Sequence, residues 1–160
     1  MNLDHCKVLK GDGARDGRNL KFAIVVSRFN QTITDALLDG AAKALAQSGV
    51  AIGDITIAEV PGAFEIPGTA KKLGLLGGFD ALICLGAVVQ GETPHFDYIC
   101  SEVSHGIAQL ALELPIPVIF GVLTTLNIEQ ALARSSEHNN KGMEAALTAI
   151  EMCHLYRRMC

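Results

Sequence analysis

The residues best placed to do chemistry in this 160-residue chain lie in Gly91-Glu92-Thr93-Pro94-His95. They follow Ala81 to Val89, an apolar run without helical period, as expected of a central parallel strand covered on both faces. Gly91 permits a sharp turn, Thr93 is a good N-cap and Pro94 suits the first helical position. That arrangement leaves backbone N–H groups free beyond the strand end, where an anion can sit. His95 stands beside them, and a histidine can accept and return a proton near neutral pH.

Other candidate side chains fall at comparable places. Strand-like segments run into Ser27-Arg28-Phe29-Asn30, into Pro61-Gly62-Ala63-Phe64-Glu65-Ile66-Pro67 and into Thr124-Thr125. Aromatics make up only 5% of the chain and Trp is absent, yet Phe29, Phe64 and Phe96 all sit at such turns. That placement suits the stacking of a flat ring. Glu65 can accept hydrogen bonds from hydroxyl or N–H groups. Arg134 can grip a phosphate bidentately, or simply complement the C-terminus of its own helix. Plain structural roles compete elsewhere too. Lys141 reads as first-turn surface, Phe64 by itself as core, and Phe29 as a hydrophobic staple. Yet Thr32-Ile33-Thr34-Asp35 is the better helix cap, which puts Gln31 at the staple position and frees Phe29 for a ligand.

The elements that must hold these residues alternate along the chain. Phe22 to Val26 reads as a strand, and Ile33, Ala36, Leu37, Gly40, Ala41, Ala44 and Leu45 form a helical stripe ending near Gly49. Asp54 to Val60 is a second strand, followed by a short helix after Pro67. After the third strand, Phe96, Ile99, Cys100, Val103, Ile107, Leu110 and Ala111 share one helical face. Pro117 to Leu123 is a fourth strand, with a short helix over Glu129 to Arg134. A long last helix carries Met143, Ala146, Leu147, Ile150 and Cys153. Such a βαβαβαβα order predicts an α/β fold, a three-layer α/β/α sandwich around a four-stranded parallel sheet. In such sheets ligands bind beyond the carboxyl ends of the strands, where the candidate residues gather. Residues 1–20, polar and without period, read as a flexible N-terminal arm, and 21–160 as a single domain.

Composition narrows the partners. A net charge of -4 weighs against nucleic acid. No apolar run approaches the ~20 residues needed to span a bilayer, and Met1 to Cys6 lacks a signal-peptide pattern, so the expected location is cytoplasmic with no membrane partner. With 49% hydrophobic residues, surplus apolar surface points to self-association. Cys6, Cys84, Cys100, Cys153 and Cys160 form no C-x-x-C pair, and the neighbours His5-Cys6 and Cys153-His154 make an awkward start for a zinc site, so no metal is expected. Gly11 to Gly17 precedes no helix and is a loop. P-loop and G-x-S-x-G motifs are absent.

Taken together and in order, the motifs resemble the 6,7-dimethyl-8-ribityllumazine synthase family. They are Ser27 to Asn30, Val60 to Pro67, Leu85 to Tyr98, Pro117 to Thr125 and Asn140-Lys141-Gly142, collinear from about Lys21 to Ile150. The resemblance implies a flavodoxin-like fold. It implies condensation of 5-amino-6-(D-ribitylamino)uracil with 3,4-dihydroxy-2-butanone 4-phosphate to the lumazine, phosphate and water, the penultimate step of riboflavin biosynthesis, without cofactor or metal. It puts Phe29 on the pyrimidine ring, and Ala63, Phe64, Glu65, Ala87, Val88 and Val89 around the ring and ribityl chain. Glu92, Thr93 and Arg134 fall to the phosphate of the butanone, and His95 to proton transfer. Phe120 matches a residue lent by a neighbouring subunit within a pentamer. An icosahedral shell of pentamers and association with riboflavin synthase are further expectations of the same kind. Two departures stand out: Gln90 replaces a residue that is basic in many members, and the turn between Arg134 and Lys141 is shorter.

Two other readings share the architecture. A flavodoxin-like FMN-binding domain would open its first strand into a Ser/Thr/Gly-rich phosphate loop, which Arg28-Phe29-Asn30 is not. An archaeal-type riboflavin synthase would act on the lumazine itself, but the Pro61 to Pro67 and Gly91 to Tyr98 motifs look more like the synthase of the lumazine.

Overall fold

The structure is a computed structural model that describes residues 8–11 and 13–159. His5, Cys6 and Cys160 lie outside the described residues, as does most of the segment read as the start of the arm. Four parallel strands, β1 (Phe22–Ser27), β2 (Ile55–Val60), β3 (Ala81–Val89) and β4 (Val118–Thr125), pair in the order β2-β1-β3-β4. The connections from β1 and β3 therefore leave towards opposite edges of the sheet.

Side-chain alternation sorts the core into two layers. Phe22, Ile24 and Val26 of β1 and Ile83 and Leu85 of β3 face one way. They pack against α1 (Gln31–Gln47), α5 (Lys141–Arg157) and Ala131 of α4 (Ile128–Ser135). Ala23, Val25, Leu82 and Cys84 face the other way, against α2 (Ile66–Leu76) and α3 (His95–Glu113). All six residues of β1 are buried. A central parallel strand has no solvent face, so it can use apolar residues throughout, each large one contributing about 1.5–3 kcal/mol.

Two glycines let α1 and α5 approach closely. A Cβ on Gly142 would overlap the backbone of Leu37, and one on Gly40 would overlap the Asn140 amide. The end of the expected arm is also part of this packing. Leu20 is fully buried, the Gly17 N–H donates to Ser48 O at 2.7 Å, and the His154 ring meets Asp16 O at 2.6 Å. A polar segment read by period alone hides such anchors, because one buried leucine has no periodicity.

Two expected caps differ from those observed. α1 starts at Gln31 with Asn30 as its N-cap, not Thr32. Asn30 sits at φ 61, ψ 46, its carbonyl accepts from Ile33 and Thr34, and its Nδ2 donates to Ala87 O at 2.8 Å. Asparagine tolerates that left-handed backbone, and the bond to β3 holds it there. α3 starts at His95 with Pro94 as its N-cap and no side-chain cap, so Thr93 does not serve. Pro94 is already near-helical at φ −62, and its carbonyl takes the Asp97 N–H at 3.0 Å. Gly91 is not left-handed, and a Cβ there would meet nothing within 4 Å, so the turn does not require glycine.

Candidate active site

Three strand ends are laced together to form one hollow. Beyond the β1–β2 ladder, Arg28 N–H donates to Val60 O at 2.8 Å and Phe29 N–H to Pro61 O at 3.1 Å. These bonds bring the Phe29 turn against the Pro61 turn, while Asn30 ties the same turn to Ala87 on β3. A single turn of 3₁₀ helix, Ala63–Glu65, follows Gly62, whose N–H donates to Glu65 Oε2 at 2.9 Å. Glu65 thus closes its own turn and keeps acceptor capacity to spare.

The hollow has a volume of about 720 Å³, within the range of small-molecule sites. Phe29, Ala63, Phe64 and Glu65 line one side, Ala87, Val88 and Val89 the floor, and Thr93 and His95 the far rim. Phe29 and Phe64 are 70% and 57% exposed. Phe64 is therefore not core, as its residue type alone would have it. Large apolar rings left open beside a concave surface are what a stacking site needs. At the start of α3, the His95 and Phe96 N–H groups have no side-chain acceptor, which leaves them available to an anion.

Phe96 and Ile99 also line the hollow. The sequence placed them on the core face of α3, and Phe96 also among the strand-end aromatics, without a role in the site. Their position at the first turn, where the core stripe runs out over the strand ends, was the available signal. Cys100 lies on the next turn. Burial, and secondarily the Asp97 carboxylate, push its thiol up, so it supplies no thiolate nucleophile near neutral pH. Glu92 is exposed and lines neither this hollow nor the groove described next.

Phe120 and Arg134 lie elsewhere. Both line a second groove of about 530 Å³ along the free edge of β4, bounded by α4 and α5, which shares no lining residue with the hollow. α4 is capped by Asn127, whose Oδ1 accepts the Gln130 N–H at 2.9 Å, while Gln130 Oε1 accepts the Leu126 N–H at 3.1 Å. Arg134 occupies the last turn and donates to Gln130 O at 3.0 Å, the helix-terminal role, with the rest of the guanidinium exposed. Lys141, at the first turn of α5 as expected, lines the groove too, 2.7 Å from Glu144 Oε1. The groove thus carries two cations, with the Glu144 carboxylate beside Lys141, and paired cations can hold a phosphate dianion.

Residues 19–157 match a family model described as 6,7-dimethyl-8-ribityllumazine synthase. The chain is also similar to a protein of that name from Chlorobium luteolum. The two are 51% identical over 149 residues, which span 92% of this chain and 96% of the relative.

Proposed function

The chain belongs to the 6,7-dimethyl-8-ribityllumazine synthase family, and from that premise we propose how its own residues divide the work. The enzyme is a transferase of riboflavin biosynthesis. It condenses 5-amino-6-(D-ribitylamino)uracil with 3,4-dihydroxy-2-butanone 4-phosphate to give 6,7-dimethyl-8-ribityllumazine, phosphate and water.

The observation that carries the assignment of residues is that the open aromatic pair Phe29 and Phe64 lines one hollow together with His95. The pyrimidine stacks on Phe29. Ala63, Phe64, Ala87, Val88 and Val89 surround the ring and ribityl chain, and the free acceptor capacity of Glu65 takes their N–H or hydroxyl groups. The reaction adds an amine to a ketone, expels phosphate and closes a second carbonyl onto nitrogen. Each step moves protons and none needs a protein nucleophile. His95, at the rim, moves those protons, a contribution of typically 10²–10⁴-fold. Holding the two substrates together contributes further.

The phosphate falls at the Glu92-Thr93 backbone and the start of α3. Arg134 belongs to the same phosphate, but it shares its groove with Phe120, away from the hollow of its own chain. The site is therefore completed between copies, with the hollow of one subunit meeting the β4 groove of the next. Phe120, Leu126, Ile128 and Leu132 remain 45%, 64%, 44% and 46% exposed in the single chain, apolar surface that such a neighbour would cover. By likeness to the family the ring is a pentamer in the cytoplasm. A shell of pentamers and an association with riboflavin synthase extend the same analogy. Among the described residues no helix is long and apolar enough to cross a membrane.

The direct test mixes the protein with both substrates and follows the fluorescence of the lumazine. Sedimentation of the purified protein reads the assembly. Absence of product from an assembled, folded protein would overturn the division of roles, and a fully active monomer would overturn the shared site.

A further inference from the structure

Among the described residues, Asn140 is the one whose side-chain hydrogen bonds reach α1, α4 and α5 together. It is 8% exposed. Its Nδ2 donates to Ala36 O on α1 at 2.8 Å and to Ser135 O at the end of α4 at 3.1 Å. Its Oδ1 accepts from Gly142 N–H at 2.9 Å and Met143 N–H at 3.1 Å. Both donors and the acceptor oxygen of the amide are thus in use.

The accepted bonds are ordinary helix capping, which a serine or aspartate would also provide. The donated bonds do something a cap does not require. They fix the last residue of α4, next to Arg134, against the residue that precedes Lys141. Each cation is tied to its own helix, Arg134 through Gln130 O and Lys141 through Glu144, so each charge moves with its helix end. The chain also leaves room for the amide, since a Cβ on Gly40 would overlap it.

We propose that Asn140 is a positioning residue for the phosphate groove. Through its bonds to Ala36 and Ser135 it sets the spacing of Arg134 and Lys141, and with it the fit of the groove to the butanone phosphate. The inference rests on the reading of that groove as the phosphate side of the site. It concerns a residue that touches neither substrate.

The experiment measures KM for each substrate on the assembled enzyme. Asn140→Ser keeps a capping hydroxyl but is too short to reach Ala36 and Ser135. Asn140→Asp keeps the shape and the cap but turns the donor side into an acceptor. Gly40→Ala keeps the amide and displaces it. Ile150→Val, in the same α1–α5 core, reports what lost stability alone does. All three positioning variants should raise KM for the butanone phosphate roughly 3–10-fold, the loss of one or two net hydrogen bonds. KM for the pyrimidine should stay within about twofold in the same variants, and both KM values should stay so in Ile150→Val. Equal increases for both substrates, or the same pattern in Ile150→Val, would make Asn140 a purely structural residue and overturn the proposal. So would unchanged values in Asn140→Asp and Gly40→Ala where Arg134→Ala raises KM for the phosphate substrate. If Arg134→Ala leaves that KM unchanged, the reading of the groove fails, and the proposal with it.

Discussion

His95 and Arg134, the two side chains with the clearest chemistry for a phosphate-bearing substrate, do not face a common cavity within one chain. His95 stands on the rim of the hollow beyond β1, β2 and β3, and Arg134 lies in the groove along the free edge of β4. One chain therefore keeps the two side chains in separate cavities.

Mixed assemblies test that arrangement most directly. His95→Ala and Phe120→Ala chains, each impaired alone, should regain activity when unfolded and reassembled together. Some sites would then pair an intact hollow with an intact groove. Arg134→Ala should replace Phe120→Ala in the mixture with the same outcome, because the two residues share the groove. No recovery in oligomers verified to be mixed would sink the shared site.

His95→Ala on its own should lower kcat by roughly 10²–10³, with residual turnover from substrate pairing. The loss should fall on kcat more than on either KM, because the imidazole moves protons and does not hold a substrate. Full kcat across the neutral range would remove His95 from the chemistry.

Arg134→Ala should raise KM for the butanone phosphate far more than for the pyrimidine, as expected for a lost charge-assisted bond of ~1.5–3 kcal/mol. Steady-state kinetics with each substrate varied in turn gives the comparison. Equal effects on both would leave Arg134 with only its bond to Gln130 O and a helix-terminal role.

Gly142→Ala should destabilise the fold by about 1–3 kcal/mol or more, because the added methyl meets the backbone of Leu37 and not a side chain that can turn away. Denaturant unfolding measures it. Gly68→Ala, on open surface in α2, should be harmless or slightly stabilising. Similar midpoints for the two variants would contradict the close α1–α5 approach.

Buried thiols give the fold an alkaline limit. Burial pushes both Cys84 and Cys153 up to about 12, against about 9 when unfolded. Between those values the unfolded chain releases protons that the folded chain keeps, so stability is intact below about 9 and declines towards 12. The unfolding midpoint should fall over that window, less steeply in Cys84→Ala/Cys153→Ala. At pH ~8 a thiol reagent should modify Cys100 before either buried cysteine. Faster modification of Cys84 would mean that β3 opens more readily than its burial implies.

The central strands β1 and β3 were legible from residue type because the middle of the sheet is buried on both faces. Ala81–Val89 is an unbroken apolar run, and its observed ends coincide with the ends of that run. The caps were not legible. Ranking Asn30 against Thr32 by type ignores the bond from Asn30 to Ala87, formed 57 residues away. The hollow could be read because its residues follow successive strands and the turns after them. The separation of Arg134 from His95 could not, since it depends on which edge of the sheet β4 occupies, and sheet order is not written in element order. Asn140 was visible only as part of the Asn140-Lys141-Gly142 motif, and its bonds were not, for a related reason: its partners Ala36 and Ser135 contribute backbone oxygens, which carry no sequence signal at all.

The strand order has a kinetic consequence. The hollow lies where the chain departs from β1 and β3 in opposite directions. If the hollow takes the pyrimidine as proposed, entry should wait on no rare open state, and its affinity should not be diluted by an unpopulated competent form. Its observed binding rate should rise linearly with concentration until it exceeds the time resolution of the measurement, with no plateau from a preceding conformational step. A plateau in that rate would instead reveal a conformational step before binding.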